Sequence, residues 1–282
     1  MKKSVLPVNH IYLPLASASL FGGGGYREIS PCPELAPFVR CFWEMDDFRE
    51  FPVPTIIPDT CADVLFERAP GETDIRASFC GVNDAPLFVQ NAGKGVKLYA
   101  IRFYAWAAAI FSGESLENSA NAYRPAEEFF PGLVRGLTPV LRDTPSLWIP
   151  AAEGLLCQAL DTRSLNARLM NSVYKVLERR GRVFLEEMAS ESVWSGRQLQ
   201  RVFLKETGLS PKRFAQLVRY QSLWRAALSP GFRVLDAVER FGYTDQSHLL
   251  REFKRFHGIP LTQARRLALG DVAFLQDLPP DL

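Results

Sequence analysis

The last third of the chain contains two copies of one sequence pattern, and this repeat constrains the fold most strongly. The first copy is VFLEEMASESVWSGRQLQRVFLKETGLSP and the second is RVLDAVERFGYTDQSHLLREFKRFHGIPL. When Leu199 is aligned with Leu249, the glycines Gly208 and Gly258 also coincide. Each copy then reads as a short helix, a tight turn and a second helix that ends at glycine. The repeat therefore predicts two helix-turn-helix units.

The second helix of each copy has a predicted cap and a predicted buried face. Ser195 and Thr244 are expected to cap these helices by accepting hydrogen bonds from free backbone N–H groups. Apolar residues recur at helical spacing and predict a buried stripe in each helix: Leu199, Val202 and Phe203, then Leu249, Leu250 and Phe253.

The polar face opposite each stripe carries side chains suited to DNA. In the major groove, arginine can donate two hydrogen bonds to guanine and glutamine can pair with adenine. The candidate reading residues are Arg197, Gln200 and Arg201, followed by Gln246, Ser247 and Arg251. Candidates for phosphate contact are Lys205, Lys254 and Arg255. Arg197 and Ser247 could also contact phosphate, and an ordinary solvated helix face remains the alternative for the whole set.

Charge and spacing favour the DNA interpretation. Between Lys175 and Arg266 there are 18 Lys and Arg against 9 Asp and Glu, whereas the remainder has 15 against 22. One basic module attached to an acidic remainder indicates a polyanionic partner. The segment SPKRFAQLVRYQSLWRAAL between the copies predicts a linker helix that holds the two units about one DNA turn apart.

The first half of the chain alternates short apolar runs with turn signals. It predicts mixed β-structure with some helix, including a strand over Ala62 to Phe66 and a short helical run after Pro33 that ends at Trp43. The segment DTPSLWIP indicates a junction. We therefore expect an α+β N-terminal sensor or dimerisation domain over residues 1–150 and an all-α DNA-binding domain over residues 165–270.

Residues 170–267 resemble the DNA-binding domain of the AraC/XylS (arabinose-regulator) family of bacterial transcription factors. The segment GYTDQSHLLREFKRFHGIP carries much of this resemblance, together with Ser210, Pro211 and Phe214. The resemblance implies a sequence-specific regulator whose two units read double-stranded DNA through the six reading positions named above. The family usually has glycine where this chain has Val193, so the first turn is expected to take another conformation.

The N-terminal segments CPELAPFVRCFWEM and IIPDTCADVLFE resemble a sensor-like domain often found before this DNA-binding domain. In relatives such a domain commonly binds an effector or dimerises, and a β-rich, barrel-like fold is common. The effector candidates in this chain are Trp43, Asp59, Asp63 and Arg102. The resemblance also implies a homodimer, and RNA polymerase as a partner if the protein is an activator. A regulator without a small-molecule ligand, controlled by a protein partner or by abundance, is the alternative.

The sequence provides little support for catalysis, a metal site or a cofactor. No catalytic constellation has supporting spacing in the first half, so a DNA-acting enzyme is disfavoured. The cysteines Cys32, Cys41, Cys61 and Cys80 contain no close pair, which argues against zinc. Prolines interrupt the apolar N-terminal stretch, and all apolar runs are too short for a membrane span. We therefore expect a cytoplasmic protein, with a buried structural role for Cys61.

Overall fold

The structure, a computed structural model, describes residues 11–15, 25–46, 55–88, 95–161, 165–183 and 185–270. The Gly-rich segment 21–24 and the tail 271–282 lie outside these residues. The strands are β1 (Tyr26–Ile29), β2 (Val39–Asp46), β3 (Thr55–Ile56), β4 (Cys61–Arg68), β5 (Ile75–Cys80), β6 (Leu87–Phe88), β7 (Lys97–Tyr104) and β8 (Tyr123–Pro125). The α-helices are α1 (Ala108–Phe111), α2 (Pro131–Asp143), α3 (Trp148–Ala159), α4 (Ala167–Glu178), α5 (Leu185–Ser192), α6 (Gly196–Thr207), α7 (Pro211–Ala227), α8 (Val234–Phe241), α9 (Gln246–His257) and α10 (Leu261–Ala268).

Six of the described strands form one antiparallel sheet in the order β1-β2-β7-β4-β5-β8. Strands β3 and β6 pair separately. Because β1 and β8 are edge strands, the sheet is open and is not a closed barrel. The region is β-rich, as the sequence predicts.

One face of the sheet forms the core of the N-terminal region. Four strands each contribute a fully buried phenylalanine to this face: Phe42, Phe66, Phe79 and Phe103. Trp148, the first residue of α3, packs edge-on against Phe42 at 5.6 Å between ring centroids. Helices α2 and α3 pack against each other and cover this face of the sheet.

The segment expected to be helical after Pro33 is instead a turn followed by strand β2. The prediction of helix up to Trp43 is wrong. Most positions of β2 are buried, because one sheet face packs on helices and the other carries the small apolar cluster around Trp43 and Met45. A strand buried on both faces loses its alternating pattern, so its apolar run can be mistaken for helix.

The helical region consists of two helix-turn-helix units, α5–α6 and α8–α9, joined by the linker helix α7. The inward side of α7 is filled with large apolar side chains, all fully buried: Phe214, Leu217, Val218, Tyr220, Leu223 and Trp224. Both units pack against this one helix, so α7 links them.

The two tight turns have the same backbone conformation although their residues differ. Val193 has φ +57°, and Gly242 in the second unit has φ +69°. In each turn the following N–H bonds back to the preceding helix, from Trp194 to Ala189 at 3.1 Å and from Tyr243 to Val238 at 2.9 Å. The expectation that valine would change the first turn is therefore wrong.

The second unit is capped one residue later than the sequence analysis predicted. The side chain of Asp245 accepts a hydrogen bond from the His248 N–H at 2.7 Å, so the assignment of the cap to Thr244 is wrong. In the first unit the predicted cap Ser195 accepts from Gln198 in a capping box. One residue separates Val193 from the cap Ser195 in the first unit, and two residues separate Gly242 from the cap Asp245 in the second. Aspartate caps a helix as well as threonine or better.

Among the described residues, no helix combines the length and apolar character needed to cross a membrane.

Candidate nucleic-acid interface

The first recognition helix, α6, presents its predicted polar face to solvent. Leu199 and Phe203 are buried against the unit's core. The four residues predicted to contact DNA from this helix are all exposed: Arg197, Gln200, Arg201 and Lys205. Because Ser195 and Gln198 bond reciprocally to cap the helix, its N-terminal turn is fixed where the reading residues begin.

The second recognition helix, α9, has the same organisation. Leu249, Phe253 and Phe256 are buried. The residues predicted to contact DNA are exposed: Gln246, Ser247, Arg251, Lys254 and Arg255. Both helices therefore combine an apolar face held in the core with a free face of basic, amide and hydroxyl groups.

Arg255 differs from the other predicted contacts in its surroundings. Its guanidinium lies 4.4 Å from the centroid of the Phe256 ring. Partial burial and the nearby charge of Arg213 lower the pKa of Arg255, while Asp84 acts in the opposite direction.

Polar side chains of the linker helix contact α9. Arg219 forms a bidentate ion pair with Glu252, with Nε 2.9 Å from Oε1 and Nη2 2.7 Å from Oε2. The Tyr220 hydroxyl lies 2.8 Å from His257 Nδ1. Burial lowers the pKa of His257 to about 3, so the ring is neutral at physiological pH.

The four candidate effector residues lie together on the second face of the sheet. Arg102 Nη2 is 2.7 Å from Asp59 Oδ2 and 3.7 Å from Asp63 Oδ2. Trp43 Nε1 donates to Asp63 Oδ1 at 2.9 Å. Within the part of the chain that the structure describes, the buried Nε of Arg102 has no hydrogen-bond partner.

Burial and the close opposite charges shift the pKa values of this cluster in opposing directions. Burial raises the pKa of the Asp59 carboxyl to about 6, and the positive charge of Arg102 opposes that rise. Burial lowers the pKa of Arg102, but the two carboxylates outweigh this effect and hold it well above its ordinary value. Cys61 is buried, as predicted, and burial raises the pKa of its thiol.

Sequence reasoning missed the polar contacts between the N-terminal region and the helical units. Arg213 Nε at the start of α7 is 2.6 Å from Asp84 Oδ2. Gln221, further along α7, bonds to the backbone of Leu15 and Pro58. The one signal available in the sequence was a glutamine within an otherwise apolar helix face.

A cavity of about 470 Å³ also lies between the N-terminal region and the first unit. Its lining comes from α1 and the loop after it, from the start of α4 and from the end of α6, and includes Trp106, Ile110, Met170 and Lys205. The four effector candidates do not line this cavity. The cluster around Arg102 and this cavity are therefore two different sites in the fold.

Comparison with known proteins agrees with this architecture. The family described as "Helix-turn-helix domain" matches residues 188–267, and the family described as "Domain of unknown function (DUF6597)" matches residues 27–125. The Multiple antibiotic resistance protein MarA of Escherichia coli is 30% identical over 95 residues, which cover 33% of this chain and 75% of MarA. MarA of Shigella flexneri matches with the same figures.

Among solved structures, ToxT from Vibrio cholerae is similar at a TM-score of 0.38 and 8% identity, covering 87% of this chain and 98% of ToxT. A second ToxT structure, from strain O395, has a TM-score of 0.35.

Two helix-turn-helix units on one linker helix define a DNA-binding transcription regulator of the tandem helix-turn-helix class. The chain belongs to the AraC family of these regulators.

Proposed function

We propose that the protein is a sequence-specific regulator that reads DNA with α6 and α9 and is controlled by an effector in its N-terminal domain. The domains would be residues 1–150 and residues 165–270. The observation that carries this proposal is the paired design of α6 and α9. Each buries its apolar face and leaves free the groups that hydrogen-bond to base edges and phosphates.

The residues would divide into two roles. Arg201 and Arg251 occupy equivalent positions in α6 and α9 and would each donate two hydrogen bonds to a guanine. Gln200 and Gln246 would pair with adenine, and Arg197 and Ser247 would add base or phosphate contacts. Lys205, Lys254 and Arg255 would bind phosphate, which adds affinity without sequence preference.

The effector would act at the cluster of Trp43, Asp59, Asp63 and Arg102. A buried Arg102 Nε–H without a partner in the described structure supports this assignment, because buried polar groups are normally satisfied. The regulator would act in the cytoplasm as a homodimer. RNA polymerase would be a further partner if the protein activates transcription.

The test is fluorescence anisotropy with DNA from upstream of the protein's own gene and with scrambled DNA, each at two salt concentrations. For the double variant Arg201→Ala/Arg251→Ala we expect a loss of about 1–3 kcal/mol per arginine on the natural fragment. On scrambled DNA the loss should be much smaller, because only phosphate contacts remain there.

The matched control is Arg76→Ala/Arg135→Ala, which removes the same charge from two exposed arginines of the N-terminal region. This control should bind the natural fragment like wild type. Equal losses on natural and scrambled DNA would assign Arg201 and Arg251 to phosphate contacts and contradict base reading by these two residues.

A further inference from the structure

Two neighbouring loops of the N-terminal region contact the C-terminal end of α6 and the start of α7, and lie beside the C-terminal end of α9. The first loop follows β5 and includes Asp84 and Pro86, and the second spans residues 114–121. They are tied together because Asn121 Nδ2 donates to Asp84 Oδ1 at 2.8 Å and Asn121 Oδ1 accepts from the Asp84 N–H at 2.9 Å. We call this pair of loops the brace.

The backbone of the brace forms a hydrogen bond with the backbone at the end of α6. The N–H of Leu116 donates to the carbonyl of Lys205 at 2.9 Å, satisfying an acceptor in the last turn of the helix. Gly208, which ends α6, is in such close contact that a β-carbon there would lie 2.9 Å from Ser119 Oγ and 3.1 Å from the Leu116 carbonyl oxygen. The helix end therefore fits against the brace without space for a side chain.

The same loops reach α7 and the end of α9. Asp84 pairs with Arg213 in the first turn of α7, at an N–O distance of 2.6 Å. Gly258 ends α9, and a β-carbon there would lie 3.5 Å from Pro86 Cγ, which is ordinary van der Waals contact. One side chain, Asp84, thus joins the loop pair to the helical units at the point between the two helix ends.

These contacts leave the reading faces open. Arg197 and Gln200 at the start of α6, and Gln246 and Ser247 at the start of α9, are all exposed. The brace contacts the opposite end of α6 and lies beside the opposite end of α9. Its contacts can therefore affect the distance between the two helices, but they do not block the access of DNA to either reading face.

We propose that the brace is the positioning element that fixes the separation of α6 and α9, and so sets the spacing of the two DNA elements that the protein accepts. Asp84 is the key positioning residue. The proposal rests on the proposed function and extends it to regulation, because a change in the N-terminal domain that moves these loops alters the permitted spacing.

The first arm of the test measures spacing. The natural DNA fragment is compared with fragments that carry one base pair more or less between the two contacted elements. One inserted base pair should cost wild type about tenfold in affinity, because one helix loses its base contacts. In Asp84→Ala the same insertion should cost less than about threefold, with thermal stability close to wild type. Asp84→Asn keeps the Asn121 contact and removes the ion pair, and should fall between the two.

The second arm needs no DNA and separates failure of this proposal from failure of the proposed function. Amide hydrogen exchange in residues 204–208 and 254–258 should become several-fold faster in Asp84→Ala. The control Asp74→Ala, at an exposed aspartate of the N-terminal region, should leave exchange and spacing unchanged. Wild type that prefers no DNA sequence would refute the proposed function alone, while faster exchange would still support the brace. Unchanged exchange, or unchanged spacing preference despite faster exchange, would overturn the role of the brace.

Discussion

Val193 holds a left-handed backbone with φ +57° in a turn where glycine would be free of strain. An L-residue in this region costs about 1–2 kcal/mol, and β-branched side chains fit it poorly. The side chain is 78% exposed, so its removal loses little packing. We expect Val193→Gly to raise the free energy of unfolding by about 1 kcal/mol, partly offset by the greater freedom of glycine in the unfolded chain. Chemical denaturation measures this change.

The reciprocal substitution is the control. Gly242 has φ +69° at the equivalent position of the second unit, so Gly242→Val should destabilise the protein by about 1–3 kcal/mol. Loss of stability in Val193→Gly would show that the valine side chain contributes more than its backbone costs.

His257 predicts a pH dependence of stability. The folded pKa is about 3 because the ring is buried, whereas an unfolded histidine titrates near 6.5. Below pH 6.5 the unfolded chain gains a proton that the folded chain does not, so stability is present at neutral pH and is lost as the pH falls. Between pH 7 and pH 5 this histidine should cost about 2 kcal/mol.

The measurement is the difference in unfolding free energy between wild type and His257→Gln across this range. The contribution of Asp59 to the pH dependence of stability has the opposite sign. Its folded pKa of about 6 lies above the pKa of an unfolded aspartate, so folding takes up a proton between these two pH values and this contribution to stability is lost as the pH rises. That contribution cancels in the difference between two proteins that both contain Asp59. Parallel pH profiles for wild type and variant would contradict the buried neutral state of His257.

Elements with strong local signals were predictable from the sequence, and those determined by distant packing were not. The helix-turn-helix repeat was correct because glycine stops, polar caps and helical apolar spacing all act within a few residues. Strand β2 was mistaken for helix because only the sheet and the cluster around Trp43 explain why most of its positions are buried. The assignment of the cap to Thr244 failed for a smaller reason, since Thr244 and Asp245 are adjacent residues that both favour this position.

At the scale of the whole molecule, α7 connects the N-terminal region to the second recognition helix. Three consecutive residues do this: Arg219 and Tyr220 bond to α9, and Gln221 bonds to the N-terminal region. Pro58, the acceptor of Gln221, directly precedes Asp59 of the effector cluster. The sequence shows a glutamine within an otherwise apolar helix face but does not identify its partners, because Gln221 and its partners are separated by 163 and 206 residues.

Gln221 gives the last prediction. It is buried, and its amide donates to the carbonyls of Pro58 at 2.7 Å and Leu15 at 3.2 Å and accepts from the Leu15 N–H at 2.8 Å. Gln221→Met keeps the shape of the side chain and removes these bonds. Because buried backbone groups would lose their partner, we expect a loss of about 1–3 kcal/mol in unfolding free energy, measured by denaturation.

The matched control is Gln216→Met on the same helix, because the Gln216 amide bonds to Glu252 and not to the N-terminal region. Limited proteolysis gives a second readout. Cleavage between the N-terminal and helical regions should accelerate in Gln221→Met and remain at the wild-type rate in Gln216→Met. Equal behaviour of the two variants would mean that other contacts hold α7 to the N-terminal region, such as the Arg213–Asp84 ion pair and the packing of Trp106 on Phe214, whose ring centroids are 6.3 Å apart. The hydrogen bond between Gln221 and Pro58 would then not couple the Arg102 cluster to the linker helix.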